Sequence, residues 1–166
     1  PRGGPPPGTI RVNAGGPAYV DSQSNSWSAD CCNDGGMTYA NAVPIAGTSD
    51  PALYQSQRWN AGPFTYTFSG LAAGSYQVTL KFAEIAYLGP GQRQFNVAIN
   101  GTQVLTNFDI AAQVGFNTAL DRTFNVTVGS AGQIAIAFTR GAADNPIVNA
   151  IQITPPTSPP PPPGTI

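Results

Sequence analysis

The feature that most constrains the fold of this chain is an alternation of apolar and polar side chains with a period of two. Successive residues of a β-strand point to opposite faces of the sheet, so this period predicts strands with one buried face. The buried positions predicted in the three clearest segments are Tyr76, Val78, Leu80 and Phe82, then Phe95, Val97 and Ile99, then Ile134, Ile136 and Phe138. We therefore expect half-buried antiparallel strands.

Further strands are predicted in segments bounded by turn signals such as Asn100-Gly101. We find no convincing helical periodicity. Short strands at this spacing predict an all-β jelly-roll β-sandwich. These additional strands are predicted at residues 10–13, 64–68, 103–108, 123–128 and 149–153.

Proline-rich tails flank the predicted sandwich. Proline has no N–H and cannot complete a sheet ladder, so these tails are predicted to form extended polyproline II linkers. We assign residues 1–9 to a linker, residues 10–154 to one domain, and residues 155–166 to a second linker with the start of a next repeat.

The hexapeptide PPPGTI occurs twice, at residues 5–10 and at residues 161–166. Each copy follows low-complexity proline and ends in Gly-Thr-Ile, so the second copy looks like the start of another module and the chain like one period of a tandem array. Neighbouring copies of the same module would then be partners. The alternative is a single domain between two similar linkers.

Charge and hydropathy exclude several classes of partner. Only 9% of the residues are charged and the formal net charge is −1, so no basic surface is expected for nucleic acid. No apolar run approaches the roughly 20 residues that span a bilayer, so no membrane insertion is expected. Lys81 is the sole lysine and Glu84 the sole glutamate, and the other polar positions are mostly uncharged. This composition is typical of extracellular β-proteins that face glycans.

Catalysis is not expected, because the chain has no histidine. Histidine is the commonest general base and a common zinc ligand. Glycosidase chemistry with two carboxyl groups would need a pair drawn from Glu84, Asp30, Asp109 and Asp144, and no spacing indicates such a pair. We expect a non-enzymatic protein without cofactor or metal.

The two cysteines, Cys31 and Cys32, are adjacent. This spacing is not that of a metal site. In an oxidising compartment three outcomes are open: a vicinal disulfide, bridges to a neighbouring chain or module, or two unpaired thiols.

Several motifs, taken in order, resemble a malectin domain. They are VNAGG, DSQSNSWSAD, LYQSQRWN, YQVTLKFAEIAYLGPGQRQFNVAINGTQVLTNFDI and DNPIVNAIQI, within residues 10–153. Malectin domains are disaccharide-binding lectin folds that also occur in bacterial glycan-active enzymes and receptor-kinase ectodomains. The resemblance implies a β-sandwich whose loops at one end carry a sugar site of aromatic residues and an aspartate.

The resemblance assigns the sugar site by position. Tyr39 lies five residues before a Pro-Ile pair, as a family tyrosine does, and Trp59 follows the arginine of the LYQ..R motif, where the family has an aromatic residue. The family has two aromatic residues after FAE and an aliphatic residue, whereas this chain has Ala86 and Tyr87, so one aromatic surface is lost. Asp144 matches the aspartate of the DNP motif.

Sugar chemistry fits these residue types, because C–H patches stack on aromatic faces and hydroxyl groups bind carboxylates. The alternatives are that the aromatic residues pack in the core or at the sandwich rim, and that Asp144 caps a turn. Trp27 is either a rim packing residue or a substitute for the aromatic residue lost at Ala86. Within the FAE…GQR signature, we expect Glu84 and Arg93 to form a structural ion pair that ties a loop to a strand.

Glycosylation is predicted at two kinds of position. Asn100 and Asn125 begin sequons. Asn100 lies in a predicted hairpin turn, and Asn125 lies within a predicted strand, where N-glycosylation is less expected. Thr157 and Ser158 lie among prolines, as O-glycan acceptors do.

Two functions of different class follow. The first is a non-catalytic carbohydrate-binding module of a secreted or cell-surface tandem-repeat protein, with an oligo- or polysaccharide as its partner. The second is a structural repeat of a glycosylated extracellular fibre or stalk.

Overall fold

The computed structural model describes residues 8–156. The candidate glycan acceptors Thr157 and Ser158, and most of both predicted linkers, lie outside the described residues. The described chain is built almost entirely from short strands, whose bounds in chain order are β1 Ile10–Asn13, β2 Tyr19–Val20, β3 Ser26–Trp27, β4 Met37–Ala40, β5 Ser56–Trp59, β6 Phe64–Phe68, β7 Gly74–Phe82, β8 Gln94–Ile99, β9 Thr102–Phe108, β10 Leu120–Val128, β11 Ile134–Ala143, β12 Ile147–Val148 and β13 Ala150–Thr154.

Two four-stranded antiparallel sheets form the sandwich, with strand orders β1-β13-β7-β10 and β6-β11-β8-β9. Their inner faces share one hydrophobic core. Phe82 of the first sheet packs against Phe95 and Phe108 of the second, with ring centroids 5.7 and 5.1 Å apart. The predicted all-β jelly-roll sandwich is confirmed.

The apolar positions of the two-residue period in the sequence are the buried positions of the strands. In β7 the predicted inward positions from Tyr76 to Phe82 are all buried, and the same holds for the predicted positions of β8 and β11. Phe64 and Phe138, from neighbouring strands β6 and β11, stack with their ring centroids 4.8 Å apart. Aromatic side chains bury large areas, so these rings contribute much of the stabilisation of the core.

Residues 8–156 contain two short helical elements, although no convincing helix was predicted from the sequence. A 3₁₀ helix covers Pro51–Tyr54, and α1 covers Ile110–Val114. The side chain of Asp109 caps α1 by accepting a hydrogen bond from the backbone N–H of Ala112 at 3.0 Å. Both elements are too short to give a helical periodicity in the sequence.

Trp27 lies in a second, smaller core and not on a sugar-facing surface. Its side chain is 3% exposed and packs with Ile45, Leu53 and Tyr54. The indole Nε1 donates a hydrogen bond of 3.0 Å to Asp21 Oδ2. At 3% exposure the Trp27 side chain offers almost no surface for a sugar ring, which favours the packing alternative over the replacement sugar platform.

Cys31 and Cys32 are joined to each other by a vicinal disulfide. Of the three outcomes open from the sequence, the structure has this one. The preceding residue, Asp30, accepts hydrogen bonds from Arg58 Nε and Nη2 at 2.9 and 2.6 Å and from Tyr66 Oη at 2.6 Å. The disulfide loop is thereby held against β5 and β6.

The two sequon asparagines differ in their surroundings. Asn100 Nδ2 donates to the carbonyl of Gln133 at 3.0 Å and Asn100 Oδ1 accepts from the N–H of Ala135 at 2.8 Å, so this exposed side chain ties the β8–β9 turn to β11. Asn125 is exposed on the outer face of β10. Within residues 8–156, no helix is long and apolar enough to cross a membrane.

Candidate functional site

A pocket of about 180 Å³ opens beside the small three-stranded sheet β12-β5-β4. Its other walls come from the loop of residues 83–93, between β7 and β8, and from the turn between β11 and β12. Four segments that are separate in sequence, β4, β5, this loop and this turn, therefore meet at one place. The pocket is lined by Tyr39, Gln57, Trp59, Ala86, Tyr87, Arg93, Asp144 and Asn145.

Strands β4 and β5 place three of these side chains on one face. Tyr39 pairs with Gln57 in the antiparallel register, and Trp59 lies two residues beyond Gln57. Because side chains alternate along a strand, Gln57 and Trp59 point the same way. Tyr39 is 40% exposed, whereas Gln57 is only 2% exposed, so Tyr39 forms the rim and Gln57 the deep part.

The VNAGG segment holds β5 from behind. Gly15 has φ 70° and lies so close to β5 that a Cβ at this position would collide with the carbonyl group of Gln57. Ser56 Oγ donates to Asn13 Oδ1 at 3.2 Å. Glycine is needed at residue 15 both for the left-handed backbone and for this close approach.

Asn149, from the DNPIVNAI segment, fixes β5 to the end of β7. This fully buried side chain donates to the carbonyls of Tyr54 and Ser56 at 3.1 and 2.9 Å and accepts from the N–H of Ala83 at 2.9 Å. These bonds join the start of β5 to the residue after β7. The loop that carries Tyr87 begins at this junction.

A buried ion pair lies beneath the pocket. Arg93 Nε donates to Glu84 Oε1 at 2.7 Å, and both side chains are at most 5% exposed. Glu84 Oε2 also accepts from the backbone N–H of Ala86 and Tyr87, at 3.2 and 3.3 Å. The predicted ion pair is present, but it joins the two ends of the loop of residues 83–93 to each other, since neither Glu84 nor Arg93 lies within a strand.

The same arginine reaches the turn that carries the aspartate. Arg93 Nη1 donates to the carbonyl of Asn145 at 2.6 Å and lies 3.4 Å from Asp144 Oδ2. Its guanidinium carbon is 5.0 Å from the ring centroid of Tyr87. Partial burial and the adjacent Asp144 carboxylate raise the pKa of Tyr87.

Tyr39, Trp59, Tyr87 and Asp144 all line this one pocket, as does Ala86, where an aromatic side chain is lost. Trp27 lies elsewhere, in the second core. The resemblance implies a sugar site on loops, whereas in the structure Trp59 ends β5 and Tyr39 lies within β4.

Sequence reasoning missed Gln57 and Asn145 as lining residues and expected only a structural role for Arg93. The segment SQRW that forms β5 has no apolar alternation, so the strand itself was not predicted. Had it been, the two-residue spacing from Trp59 would have placed Gln57 in the pocket.

The other carboxylates considered for catalysis have structural partners. Asp30 pairs with Arg58, and Asp109 caps α1 and accepts from the N–H of Gly91 at 2.6 Å. Within residues 8–156, no group of three or more histidine, cysteine or acidic side chains is arranged to hold a metal ion.

Sequence comparison with known proteins identifies the family of this chain. The family model described as "Malectin domain" matches residues 9–151, which is most of the chain. The chain belongs to the malectin family. Malectin-B of Xenopus laevis is 30% identical over 159 residues, covering 86% of this chain and 58% of that protein. The chain thus spans a little over half the length of this curated relative.

Solved structures share the fold of this malectin domain. The ANX2 ectodomain from Arabidopsis thaliana superposes with a TM-score of 0.78 at 21% identity, covering 87% of this chain and 48% of that one. A Bacteroides uniformis β-glucuronidase superposes with a TM-score of 0.77 at 20% identity over 90% of this chain and 18% of the enzyme. At these identities the likeness concerns the fold alone.

Proposed function

We propose that this malectin domain is a non-catalytic carbohydrate-binding module whose ligand enters the pocket between Tyr39, Trp59, Tyr87 and Asp144. The observation that carries the proposal is the convergence of three aromatic side chains and a partly exposed carboxylate at one pocket. Aromatic faces stack on the C–H surfaces of a sugar ring, and a carboxylate accepts hydrogen bonds from its hydroxyl groups.

The size of the pocket supports partial enclosure of a saccharide. Its volume of about 180 Å³ is below the roughly 300–1,000 Å³ of sites that enclose drug-sized ligands. One ring would enter, and the rest of an oligo- or polysaccharide would lie over the exposed rim near Tyr39. The loss of an aromatic face at Ala86 leaves that side of the pocket open, since Ala86 is exposed.

The charges around the pocket favour a neutral sugar. Arg93 is the cation in the lining, and it is already paired with Glu84 and close to Asp144. The two carboxylates outnumber this guanidinium, so an acidic sugar would meet a negative site. We infer that neutral hexoses bind in preference to uronic acids.

The test is titration calorimetry with neutral and acidic oligosaccharides that first score on a glycan array. Trp59→Ala should lower the affinity at least tenfold, since it removes a stacking face, whereas Trp59→Phe should keep most of it. Val20→Ala, at a site 63% exposed on β2, is the surface control and should bind as the unmodified chain does. Absence of binding to every glycan, or equal binding by Trp59→Ala, would contradict the proposal.

The setting that we propose is a secreted or cell-surface protein with several copies of the module. The repeat of PPPGTI at residues 5–10 and 161–166 supports tandem copies. Linked modules would raise avidity for a polysaccharide, because the second binding event becomes intramolecular. Glycans at Asn125 or Asn100 belong to the same proposal; Asn125 is exposed on the outer face of β10.

The same repeat favours a second candidate, a structural unit of an extracellular fibre or stalk. Proline-rich linkers would then hold the sandwiches apart at about 3.1 Å per linker residue. Solution scattering from a chain of several repeats separates the two candidates. A regular axial spacing without glycan binding supports the fibre, and glycan binding by compact or irregular chains supports the tethered lectin.

A further inference from the structure

Gln57 is a buried polar side chain without a protein hydrogen-bond partner. It is 2% exposed, and its Oε1 is the buried side-chain polar atom that lacks a partner among residues 8–156. Burial of an amide oxygen without a hydrogen bond is unfavourable, and such groups in folded proteins call for an explanation.

Its buried polar neighbours are satisfied. Ser56, adjacent in β5, shares its one hydroxyl proton between Asn13 Oδ1 and the carbonyl of Ala14, both at 3.2 Å. Asn149, also buried against β5, makes three hydrogen bonds through its side chain. The missing partner is therefore specific to Gln57 and does not reflect loose packing of this strand.

Gln57 also lies in the lining of the pocket. Its register partner on β4 is Tyr39, and Trp59 is on the same face of β5. A side-chain amide offers one acceptor oxygen and two N–H donors, whereas the Asp144 carboxylate only accepts. The two residues together provide complementary groups for a ring that carries several hydroxyls.

We propose that the Gln57 carboxamide hydrogen-bonds a sugar hydroxyl in the deep part of the pocket. Because the unpartnered oxygen is itself buried, the carboxamide turns about its last side-chain bond so that this oxygen accepts the hydroxyl proton; without that turn the amide N–H donates to the hydroxyl oxygen. This assignment rests on the proposed carbohydrate-binding function. Gln57 thereby selects for an unsubstituted hydroxyl at the ring position that enters most deeply, in addition to the stacking on Trp59.

The experiment compares Gln57→Met with Gln55→Met. Methionine keeps the approximate length of glutamine but cannot replace its hydrogen bonds. Gln55 is the matched control, because its Nε2 donates to the carbonyl of Val43 at 2.8 Å and it does not line this pocket. Affinity for the neutral glycan that binds the unmodified chain is measured by calorimetry, and Tm is measured without sugar.

Gln57→Met should weaken binding about three- to tenfold, the worth of one neutral hydrogen bond. Its Tm should be unchanged or raised by about 2–4 °C, because an unpaired polar group leaves the interior. Gln55→Met should have the opposite pattern, with a lower Tm and unchanged affinity.

Monodeoxy sugars give a readout that a purely structural role would not affect. One deoxy analogue should bind the unmodified chain more weakly than the parent sugar does. Gln57→Met should bind that analogue and the parent sugar equally well. One outcome would contradict only the Gln57 assignment: the unmodified chain binds the glycan, Trp59→Ala does not, and Gln57→Met binds it as tightly as the unmodified chain. The proposed function would stand in that case. If the unmodified chain binds no glycan, the proposed function fails and the assignment fails with it.

Discussion

Arg93 Nε lies 2.7 Å from Glu84 Oε1, and this buried ion pair links the loop and the turn that form two walls of the pocket. Glu84 receives the backbone N–H groups of Ala86 and Tyr87, while Arg93 donates to the carbonyl of Asn145. The loop that carries Tyr87 and the turn that carries Asp144 are thus positioned by one pair of opposite charges. The pair is a positioning element and does not need to touch the ligand.

Glu84→Gln should lower the free energy of unfolding by about 3–5 kcal/mol, because it leaves the buried Arg93 cation without its main counter-charge. Chemical denaturation measures this change. Asp121→Asn is the control: Asp121 is 41% exposed and pairs with Lys81 at the surface, and an amide oxygen can still accept from Tyr54. It should cost less than about 1 kcal/mol. Equal effects of the two substitutions would contradict the assigned role of the buried pair.

Phe138→Ala should lower the free energy of unfolding by about 3–5 kcal/mol, since the ring is fully buried and its removal leaves a cavity. The stacked partner Phe64 would lose its contact at 4.8 Å. Phe116→Ala, at a position 47% exposed, should change the same quantity by no more than about 0.5 kcal/mol. A small loss for Phe138→Ala would argue against the assigned core.

Trp27→Phe should raise the pKa of Asp21. That pKa is lowered from 3.8 to about 2, chiefly because Trp27 Nε1 donates to the carboxylate, with further help from the backbone N–H groups of Asn25 and Gln23. A lowered folded-state pKa stabilises the protein above pH 3.8, and this contribution is lost as the pH falls towards 2. The variant should show less of this acid dependence, and its sugar affinity should stay unchanged.

Carboxyl NMR titration of Asp21 measures the shift directly. Asn25 and Gln23 still donate in the variant, so the pKa should rise part of the way and not reach 3.8. An unaltered titration curve would show that the indole N–H is not the main cause. A loss of sugar affinity at full stability would instead place Trp27 at the binding surface.

Gly15→Ala should destabilise the domain by more than about 1 kcal/mol, because φ is 70° and the new Cβ would collide with the carbonyl of Gln57. Displacement of β5 should also lower sugar affinity through Gln57 and Trp59. Gly89→Ala is the control, since a Cβ there meets nothing within 4 Å. Thermal unfolding and calorimetry on both variants test this, and equal stability for the two would refute the close-contact argument.

The alternation of apolar and polar residues was sufficient to predict the sandwich. Strands β7, β8 and β11 carry an alternation that is a local property of the chain, and each buried face could be read without knowledge of its partner. Tyr39, Trp59, Tyr87 and Asp144 were found by motif position, and all of them line one pocket. Motif position works here because each of these residues lies within a short segment typical of the family.

The three-dimensional arrangement was needed to distinguish the side chains that line the pocket from those that are buried away from it. Trp27 and Trp59 are both aromatic residues in polar segments, yet Trp27 is covered by the second core while Trp59 faces the pocket. The role that we propose for Gln57 depends on its place in a strand without apolar alternation and on the lack of a protein hydrogen-bond partner for its Oε1. Burial and hydrogen-bond satisfaction depend on residues far apart in sequence, so no local pattern determines them.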